Sequence, residues 1–260
     1  MDPSFVTVQG RRLEYRRIAS VRPDRPTLVF LHEGLGSVSL WRDFPSRVAA
    51  ATGCGAVVYS RYGYGRSDRL ERPHRVDYMH REALDVLPEL LEKLGVDDPL
   101  LVGHSDGASI AIIYAGAGHR TRALVVLAPH VFVEDVSVAS IARAKEAFEK
   151  TDLAQRLTHH HDDVRTTFYG WNDIWLDPEF REWNIEEFIA DIHCPMLAVQ
   201  GEDDEYGTMR QLDAIAARSS GLVELVKFSQ CGHSPHRDQP QATLEAIAAF
   251  TKRVATAPRR

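Results

Sequence analysis

The chain has 260 residues, of which 44% are hydrophobic and 26% charged, a length that suits one large or two small globular domains. Its net charge of −6 and the lack of a basic stripe argue against nucleic acid as the main partner. No apolar run reaches the roughly 18 residues of a membrane span, no secretory signal is visible, and Cys54, Cys194 and Cys231 fit neither a disulfide framework nor a zinc pattern. We therefore expect a cytoplasmic protein with no membrane partner and no bound metal.

The first third of the chain predicts an antiparallel hairpin followed by two buried strands. Apolar and polar residues alternate on both sides of Gly10, whereas the next two strands are continuous apolar runs, typical of a covered parallel sheet. A helix is predicted over 38–50 and a longer one over 76–94, in which Pro88 predicts a kink or a break. The four predicted strands cover residues 4–9, 12–18, 27–31 and 56–59.

The most informative stretch covers residues 100–116, where an apolar strand runs into Gly103-His104-Ser105-Asp106-Gly107 and then into a helix. Between a strand and a helix, G-x-S-x-G is typical of a nucleophile elbow, which holds a serine hydroxyl above the edge of a sheet. A structural serine at a helix N-terminus is the alternative. We favour Ser105 as a catalytic nucleophile, which requires a base, an orienting acid and an oxyanion hole elsewhere in the chain.

After a further strand over 123–127, only amphipathic helices are predicted until about residue 193. An all-helical insert between two buried strands predicts a lid over the carboxyl edge of the sheet. The predicted lid helices cover residues 137–150, 153–159, 164–175 and 179–190. The sheet pattern then resumes, with predicted strands over 195–200 and 222–228 and predicted helices over 208–219 and 240–256.

Three consecutive histidines, His159, His160 and His161, lie in the predicted lid and precede two aspartates. Both a metal site and a solvated turn are compatible with this composition. We favour the solvated turn, because consecutive histidines on a helix point in different directions and cannot converge on one ion.

Two polar turns follow strands of the resumed sheet pattern. Gly201-Glu202-Asp203-Asp204 leaves one strand, and Cys231-Gly232-His233-Ser234-Pro235 follows the last one. Functional groups gather beyond the carboxyl ends of parallel strands. His233 is therefore placed to take the proton of Ser105 and to return it to a leaving group, while an acidic side chain fixes the tautomer of the imidazole.

On these features the chain resembles the α/β-hydrolase superfamily, in its lidded esterase and C–C-bond hydrolase branch. The resemblance implies a mostly parallel eight-stranded sheet flanked by helices, formed by residues 1–129 and 193–260, with an all-helical lid over 130–192. It also implies a triad of Ser105, Asp204 and His233, because the family pattern G-x-x-D falls on Asp204 rather than on Asp203. The matching signatures are His32 with its glycine turn and residues 61–67, 103–107, 201–204 and 232–235.

The resemblance further implies an oxyanion hole made by two backbone amides. One is that of Asp106, and the other is that of Gly34, or of Leu35 if the turn after the first central strand holds an extra residue. The chain departs from the family at Glu33, where glycine is common. Because Glu33 and Asp106 together would repel an anionic acyl group, we expect at least one of them to turn away into hydrogen bonds.

The candidates for the substrate pocket are Glu33, His104, Trp171, Trp175 and Trp183. The three tryptophans belong to the predicted lid, where they form either an aromatic pocket wall or merely the interior of the lid. His104 is also a candidate for holding loops by hydrogen bonds. No arginine is expected beside the oxyanion hole, so the pocket is predicted to favour uncharged acyl groups of medium size.

These expectations describe a serine hydrolase that needs no cofactor and forms an acyl-enzyme with a small-to-medium carboxylic ester, lactone or thioester. On the same triad, the alternatives are a C–C-bond hydrolase of aromatic ring-cleavage products, an amidase and a perhydrolase. A non-catalytic ligand receptor is least favoured, because such a protein need not keep all the triad residues. The expected partner is a small-molecule substrate, and a homodimer remains open.

Overall fold

An eight-stranded sheet lies at the centre of the structure, a computed structural model that describes residues 3–22 and 24–255. Its order is β1-β2-β4-β3-β5-β6-β7-β8, and β2 alone runs against the other strands. The α/β-hydrolase sheet expected from the sequence is therefore confirmed. The strands are β1 (Ser4–Val8), β2 (Arg11–Ile18), β3 (Leu28–Leu31), β4 (Ala56–Tyr59), β5 (Leu100–His104), β6 (Ala123–Leu127), β7 (Met196–Gly201) and β8 (Val223–Phe228).

Helices flank both faces of the sheet and fill the long connection between β6 and β7. Within the part of the chain that the structure describes, no helix is both long and apolar enough to cross a membrane. The helices are α1 (Phe44–Thr52), α2 (Tyr78–Arg81), α3 (Leu87–Lys93), α4 (Asp106–Gly116), α5 (Asp135–Lys150), α6 (Leu153–Leu157), α7 (Val164–Leu176), α8 (Glu186–Ala190), α9 (Arg210–Arg218), α10 (Pro235–Asp238) and α11 (Pro240–Ala255).

Strands β3 to β6 are buried along their whole length, which explains why their sequences are continuously apolar. Successive side chains of a strand point to opposite faces, so the sheet supplies two apolar cores. Leu28 and Phe30 pack in the core formed with α1 and α11, whereas Val29 and Leu31 pack in the core formed with α3 and α4. The carboxyl ends of these rigid strands carry the loops that hold the site.

The long helix predicted over 76–94 is divided into α2, a π-helical turn over Glu82–Val86, and α3. Pro88 has no N–H to donate, and its ring crowds the carbonyl group four residues earlier. The widened π turn directly before α3 accommodates this defect without ending the helix. The predicted irregularity is therefore present, and it lies ahead of the proline.

Residues 130–192, the predicted lid and called the lid from here on, contain α5 to α8 and a 3₁₀ turn over Pro178–Glu182. The prediction of a single helix over 179–190 is wrong. The Asp177 side chain accepts from the N–H of Glu179 (2.8 Å), and the Asn184 side chain accepts from the N–H of Glu186 (2.7 Å). Such local side-chain bonds offer the backbone an alternative to a continuous helix and end it between the two segments.

The predicted start of α1 is also wrong, because residues 38–43 form turns and the helix begins at Phe44. Pro45 occupies its first turn, where a missing N–H removes no helical hydrogen bond. The short helix α10, which follows His233 and Ser234, was not predicted. Both differences lie in turns beyond the carboxyl ends of strands β3 and β8.

Candidate active site

Ser105 lies in the tight turn between β5 and α4, at φ 53° and ψ −121°. A positive φ is strained for a residue with a side chain and persists only where the surroundings enforce it. A Cβ atom on Gly103 would lie 2.3 Å from the carbonyl oxygen of Gly107, so strand and helix approach too closely for any residue but glycine. The G-x-S-x-G sequence thus forms a sharp strand–turn–helix elbow.

Helix α4 also packs closely on the end of β3. A Cβ atom on Gly107 would lie 2.1 Å from the carbonyl oxygen of Leu31, immediately before His32. Leu31 pairs with Gly103 in the neighbouring parallel strand. The turn that follows β3 is therefore held beside Ser105, where a second oxyanion donor is expected.

His233 joins Ser105 to Asp204. Its Nε2 lies 2.9 Å from Ser105 Oγ, and its Nδ1 lies 2.8 Å from Asp204 Oδ1. The Nε2 of His104 donates to the backbone carbonyl of His233 (2.8 Å), which fixes the position of that loop. The structure thus brings the three predicted triad residues into one series of hydrogen bonds.

Asp204, and not Asp203, contacts the histidine of this series. Its Oδ1 also accepts from the backbone N–H groups of Tyr206 (2.8 Å) and Gly207 (3.2 Å), and its Oδ2 accepts from the Gln200 side chain (3.2 Å). The Asp204 side chain is only 1% exposed, whereas Asp203 is exposed. The acid is therefore held rigidly by its own turn.

The pKa values of the pair are shifted toward the ionised states of both partners. Burial works to lower the pKa of His233, but the charge and hydrogen bond of Asp204, with the charges of Glu205 and Glu33, raise it above its ordinary value. Burial works to raise the pKa of Asp204, yet His233 and the amide of Tyr206 hold it below its usual value. Asp204 thus stays ionised, and His233 is a stronger base than a free imidazole.

The turn after β3 is fixed by three donors that converge on the carbonyl oxygen of Glu33. They are Arg61 Nη2 (3.0 Å), His32 Nδ1 (2.7 Å) and the N–H of Gly36 (3.0 Å). A trans peptide places its N–H opposite its C=O. The amide of Gly34 therefore points away from this buried cluster.

Two backbone amides beside Ser105 are free to bind a ligand. The N–H groups of Gly34 and Asp106 donate to no acceptor within residues 3–22 and 24–255. Asp106 is the first residue of α4, where helical N–H groups have no partner inside the helix. The carbonyl oxygen of Leu35 accepts from His161 Nε2 (2.9 Å). The N–H of Leu35 also donates to no acceptor within those residues, so Gly34 and Leu35 both stay candidates for the second donor.

Glu33 lies beside an arginine and a histidine that the sequence did not place there. Its carboxylate lies 3.3 Å from Arg237 and 3.5 Å from His104. Burial works to raise the pKa of Glu33, but His104 and Arg237 outweigh it and keep that pKa well below its usual value. The Glu33 side chain is thus an ionised, neutralised group that holds α10 and β5 together.

Asp106 is neutralised in the same way. It accepts from the Tyr78 hydroxyl (2.7 Å) and lies 3.5 Å from Arg61, and Trp175 Nε1 donates to the Tyr78 hydroxyl (3.1 Å). The expectation that no arginine lies beside the hole is wrong. The two arginines concerned, Arg61 and Arg237, come from outside the lid, in the turn after β4 and in α10.

The three lid tryptophans occupy different places. Trp171 lies against the turn after β3, since a Cβ atom on Gly34 would be 2.0 Å from its Nε1. Trp175 packs on the ring of His130, at 5.1 Å between ring centroids. Trp183 contacts the rings of Phe180, Trp175 and His80, and its buried Nε1 has no hydrogen-bond partner among the residues that the structure describes. These contacts place Trp183 in the interior of the lid and the other two nearer the triad.

The three consecutive histidines, His159 to His161, are not all exposed to solvent. The solvated turn predicted for them is wrong at His161, which is 4% exposed and accepts from the N–H of Gly65 at its Nδ1 (2.9 Å). Burial lowers the pKa of His161 to about 4, so the ring is neutral. His160 contacts the Ser39 hydroxyl (2.9 Å). Among the described residues, no group of histidine, cysteine and acidic side chains could hold a metal ion.

Sequence reasoning missed His130, which lies just beyond β6. Its ring lies 5.5 Å from that of His233 and is 2% exposed. Burial and the neighbouring His233 lower the pKa of His130 to about 3, so it is a neutral wall of the site. Its position at the carboxyl end of a central strand was the signal that could have revealed it.

The chain matches the family model of the alpha/beta hydrolase family over residues 28–246 and therefore belongs to that family. It is similar to a proline iminopeptidase of Lactobacillus helveticus, with 32% identity over 84% of this chain and 87% of that protein. With the proline iminopeptidase of Lactobacillus delbrueckii subsp. lactis the identity is 31%, but the match spans 40% of this chain and only 36% of that relative.

Esterases are also among the similar proteins. A bifunctional esterase/perhydrolase of Acinetobacter calcoaceticus is 24% identical over 86% of this chain and 89% of that protein. The solved structure of an esterase from Exiguobacterium antarcticum superposes with a TM-score of 0.75 at 17% identity, covering 96% of this chain and 99% of the other. The chain is thus a member of a hydrolase family whose relatives include both esterases and peptidases.

The two neighbouring carboxylates provide a matched pair of variants. Asp204→Asn should lower kcat by about 10⁴-fold, because the amide favours the wrong tautomer of the histidine. Asp203→Asn, at an exposed position without such a contact, should leave kcat nearly unchanged. Steady-state kinetics of both variants on one ester checks this, and the reverse order of effects would assign the acid to Asp203.

Activity should rise with pH through a midpoint above about 6.5, the ordinary pKa of histidine. His233 accepts a proton only when neutral, and Asp204 raises its pKa, so protonation inactivates the enzyme on the acid side of that midpoint. A profile of kcat/KM against pH measures the midpoint. In Asp204→Asn the residual activity should titrate at lower pH, and an unchanged midpoint would contradict this role of the carboxylate.

Proposed function

We propose that this member of the alpha/beta hydrolase family is a serine hydrolase that forms an acyl-enzyme on Ser105. The observation that carries the proposal is the hydrogen-bonded series from Ser105 through His233 to Asp204, beside the unbonded amides of Gly34 and Asp106. Nucleophile, base, orienting acid and oxyanion donors are the parts that acyl transfer requires, and all lie at one edge of the sheet.

The proposed reaction has two halves. His233 Nε2 takes the hydroxyl proton as Ser105 Oγ attacks the substrate carbonyl, and the amides of Gly34 and Asp106 bind the resulting oxyanion. The tetrahedral intermediate collapses, the leaving group departs with the proton from His233, and the acyl group stays on Ser105. A water molecule, deprotonated by His233, then releases the acid and restores the serine.

We propose a small-to-medium, uncharged carboxylic ester as the substrate, with thioesters and lactones as close chemical relatives. The carboxylate of Glu33 is paired with Arg237, and that of Asp106 with Arg61. Because these ion pairs largely cancel the charges, each carboxylate attracts a substrate cation, or repels a substrate anion, only weakly. An acyl group that carries a charge would lose its hydration there without gaining a free counter-charge. The esterase/perhydrolase of Acinetobacter calcoaceticus supports this substrate class.

A second candidate is the hydrolysis of the amide or peptide bond that follows an amino-terminal residue with a free amino group. The likeness to the proline iminopeptidase of Lactobacillus helveticus favours it. An amino-terminal cation needs an anionic partner, however, and the two carboxylates that flank the predicted oxyanion donors, Glu33 and Asp106, are already paired. We therefore rank ester hydrolysis first. A C–C-bond hydrolase and a perhydrolase use the same triad and remain further candidates.

Ser105→Ala should lower kcat by several orders of magnitude, about 10⁶-fold on the scale of triad serines, because it removes the nucleophile. The wild-type protein should be labelled by a fluorophosphonate, and the variant should not. Labelling followed by mass analysis locates the modified residue. A variant that keeps its ester activity and its labelling would refute the assignment of Ser105, and a thermal unfolding curve controls for folding.

A neutral aryl or butyrate-sized ester should give a higher kcat/KM than the matched half-ester of a dicarboxylic acid. The physical reason is the desolvation of the second carboxylate, a cost of several kcal/mol when no free cation compensates it. The same assay plates should include a proline anilide as the peptidase substrate. A preference for the half-ester, or for the anilide, would overturn the proposed substrate class while leaving the triad in place.

A further inference from the structure

The indole ring of Trp171 lies directly against the turn that carries the second oxyanion donor. A Cβ atom on Gly34 would lie 2.0 Å from Trp171 Nε1, 2.4 Å from its Cδ1 and 2.7 Å from its Cε2. The edge of the ring that bears the N–H is therefore the part that faces Gly34. Glycine is required here by this close approach.

The N–H of Trp171 has no acceptor among the described residues, yet it is not enclosed. Trp41 Nε1 and Trp183 Nε1 are enclosed and have no partner within residues 3–22 and 24–255, and Trp175 Nε1 donates to the Tyr78 hydroxyl. Trp171 Nε1 belongs to neither group, although the residue as a whole is only 7% exposed. Its donor is consequently accessible at the contact with Gly34.

Helix α7, which carries Trp171, is held in place on both sides of it. The Thr167 hydroxyl donates to the carbonyl of Gly63 (2.6 Å), and Asn172 Nδ2 donates to the carbonyl of Ile141 (2.8 Å). Trp175, one turn further along, is bonded to the Tyr78 hydroxyl (3.1 Å). The backbone that carries the indole is therefore held in place by the contacts of α7.

The turn after β3, which faces the indole of Trp171, is also held by a lid residue. His161, another lid residue, donates to the carbonyl of Leu35 (2.9 Å) and accepts from the N–H of Gly65 (2.9 Å). Lid and turn therefore keep a constant separation at the place where Trp171 meets Gly34. A donor held at a constant place needs no reorganisation when charge develops in front of it.

We propose that the indole N–H of Trp171 is a third donor to the oxyanion, supplied by the lid beside the amides of Gly34 and Asp106. This inference rests on the proposed function, since it assumes acyl transfer at Ser105. Trp171 is then a catalytic residue that touches the substrate carbonyl oxygen as it becomes negative, and the pocket wall expected from the sequence is only part of its role. Because the bond strengthens with the developing charge, it acts on kcat more than on KM.

The test compares two tryptophan-to-phenylalanine changes in the full-length protein. Trp171→Phe keeps an aromatic ring and removes the N–H, whereas Trp183→Phe removes an N–H that is enclosed in the lid and serves as the matched control. We expect Trp171→Phe to lower kcat by about 10²-fold, the scale for one oxyanion donor, with little change in KM. Inhibition by a trifluoromethyl ketone, which forms a tetrahedral adduct with serine, should weaken by a similar factor. Trp183→Phe should behave as the wild type in both assays.

A second measurement uses the wild-type protein and does not depend on how the variant folds. The four tryptophans can be labelled with nitrogen-15 and observed as indole signals, assigned by single substitutions of the other three. On addition of the trifluoromethyl ketone, the indole proton of Trp171 should move downfield, while that of Trp183 should stay in place. An unmoved Trp171 signal in the adduct would overturn the proposal.

The kinetic outcomes separate this inference from the proposed function. If fluorophosphonate labels the wild type and Trp171→Phe at equal rates, and kcat is unchanged, Trp171 is only a wall and the serine hydrolase assignment stands. A rise in KM with unchanged kcat and unchanged ketone affinity would likewise reduce Trp171 to a packing residue. If the wild type is neither labelled nor active on any ester or amide, the proposed function and this inference are both refuted.

Discussion

The close approach of β5, α4 and β3 at Gly103 and Gly107 is the constraint on which the site depends. It forces Ser105 to a positive φ, at a cost of about 1–3 kcal/mol for a residue with a side chain. That strain persists because β5 and α4 are completely buried and cannot relax independently. The same contact sets the free amide of Asp106 beside the turn after β3. The positions of the proposed nucleophile and of the proposed oxyanion donors therefore follow from one packing arrangement.

A second constraint is electrostatic, because the carboxylates of Glu33 and Asp106 lie beside the amides that we propose as oxyanion donors. An unpaired buried charge is costly, and each carboxylate here meets an arginine, Arg61 for Asp106 and Arg237 for Glu33. Arg61 also donates to the carbonyl of Glu33, so the group that neutralises Asp106 also orients the peptide of Gly34. Charge compensation and the geometry of the hole are thus performed by the same side chain.

The sheet and the elbow could be predicted because each depends on local sequence, whereas the choice of Asp204 as the proposed acid came from the resemblance to the α/β-hydrolase superfamily. Buried parallel strands are continuously apolar, and the order of serine, acid and histidine follows the order of strands along the chain. The arginine partners could not be predicted, because Arg61 and Arg237 reach the hole from distant turns that apolar periodicity does not describe. His161 was misplaced for a related reason: its sequence is that of a polar turn, and only the tertiary fold sets it between Gly65 and Leu35.

Residues 130–192, the predicted lid, are hydrogen-bonded to the loops that carry the proposed catalytic residues. The hydroxyls of Ser137 and Ser140 donate to the carbonyls of Tyr206 and Glu205, in the turn that carries Asp204. His161 holds the turn of the second oxyanion donor. These are hydrogen bonds between side chains of one segment and backbone of another, so they fix position as well as adding stability. Residues 130–192 thus supply the tryptophans of the proposed pocket and also hold the turns of Asp204 and Leu35, so a substitution there that alters the proposed pocket also disturbs the proposed catalytic geometry.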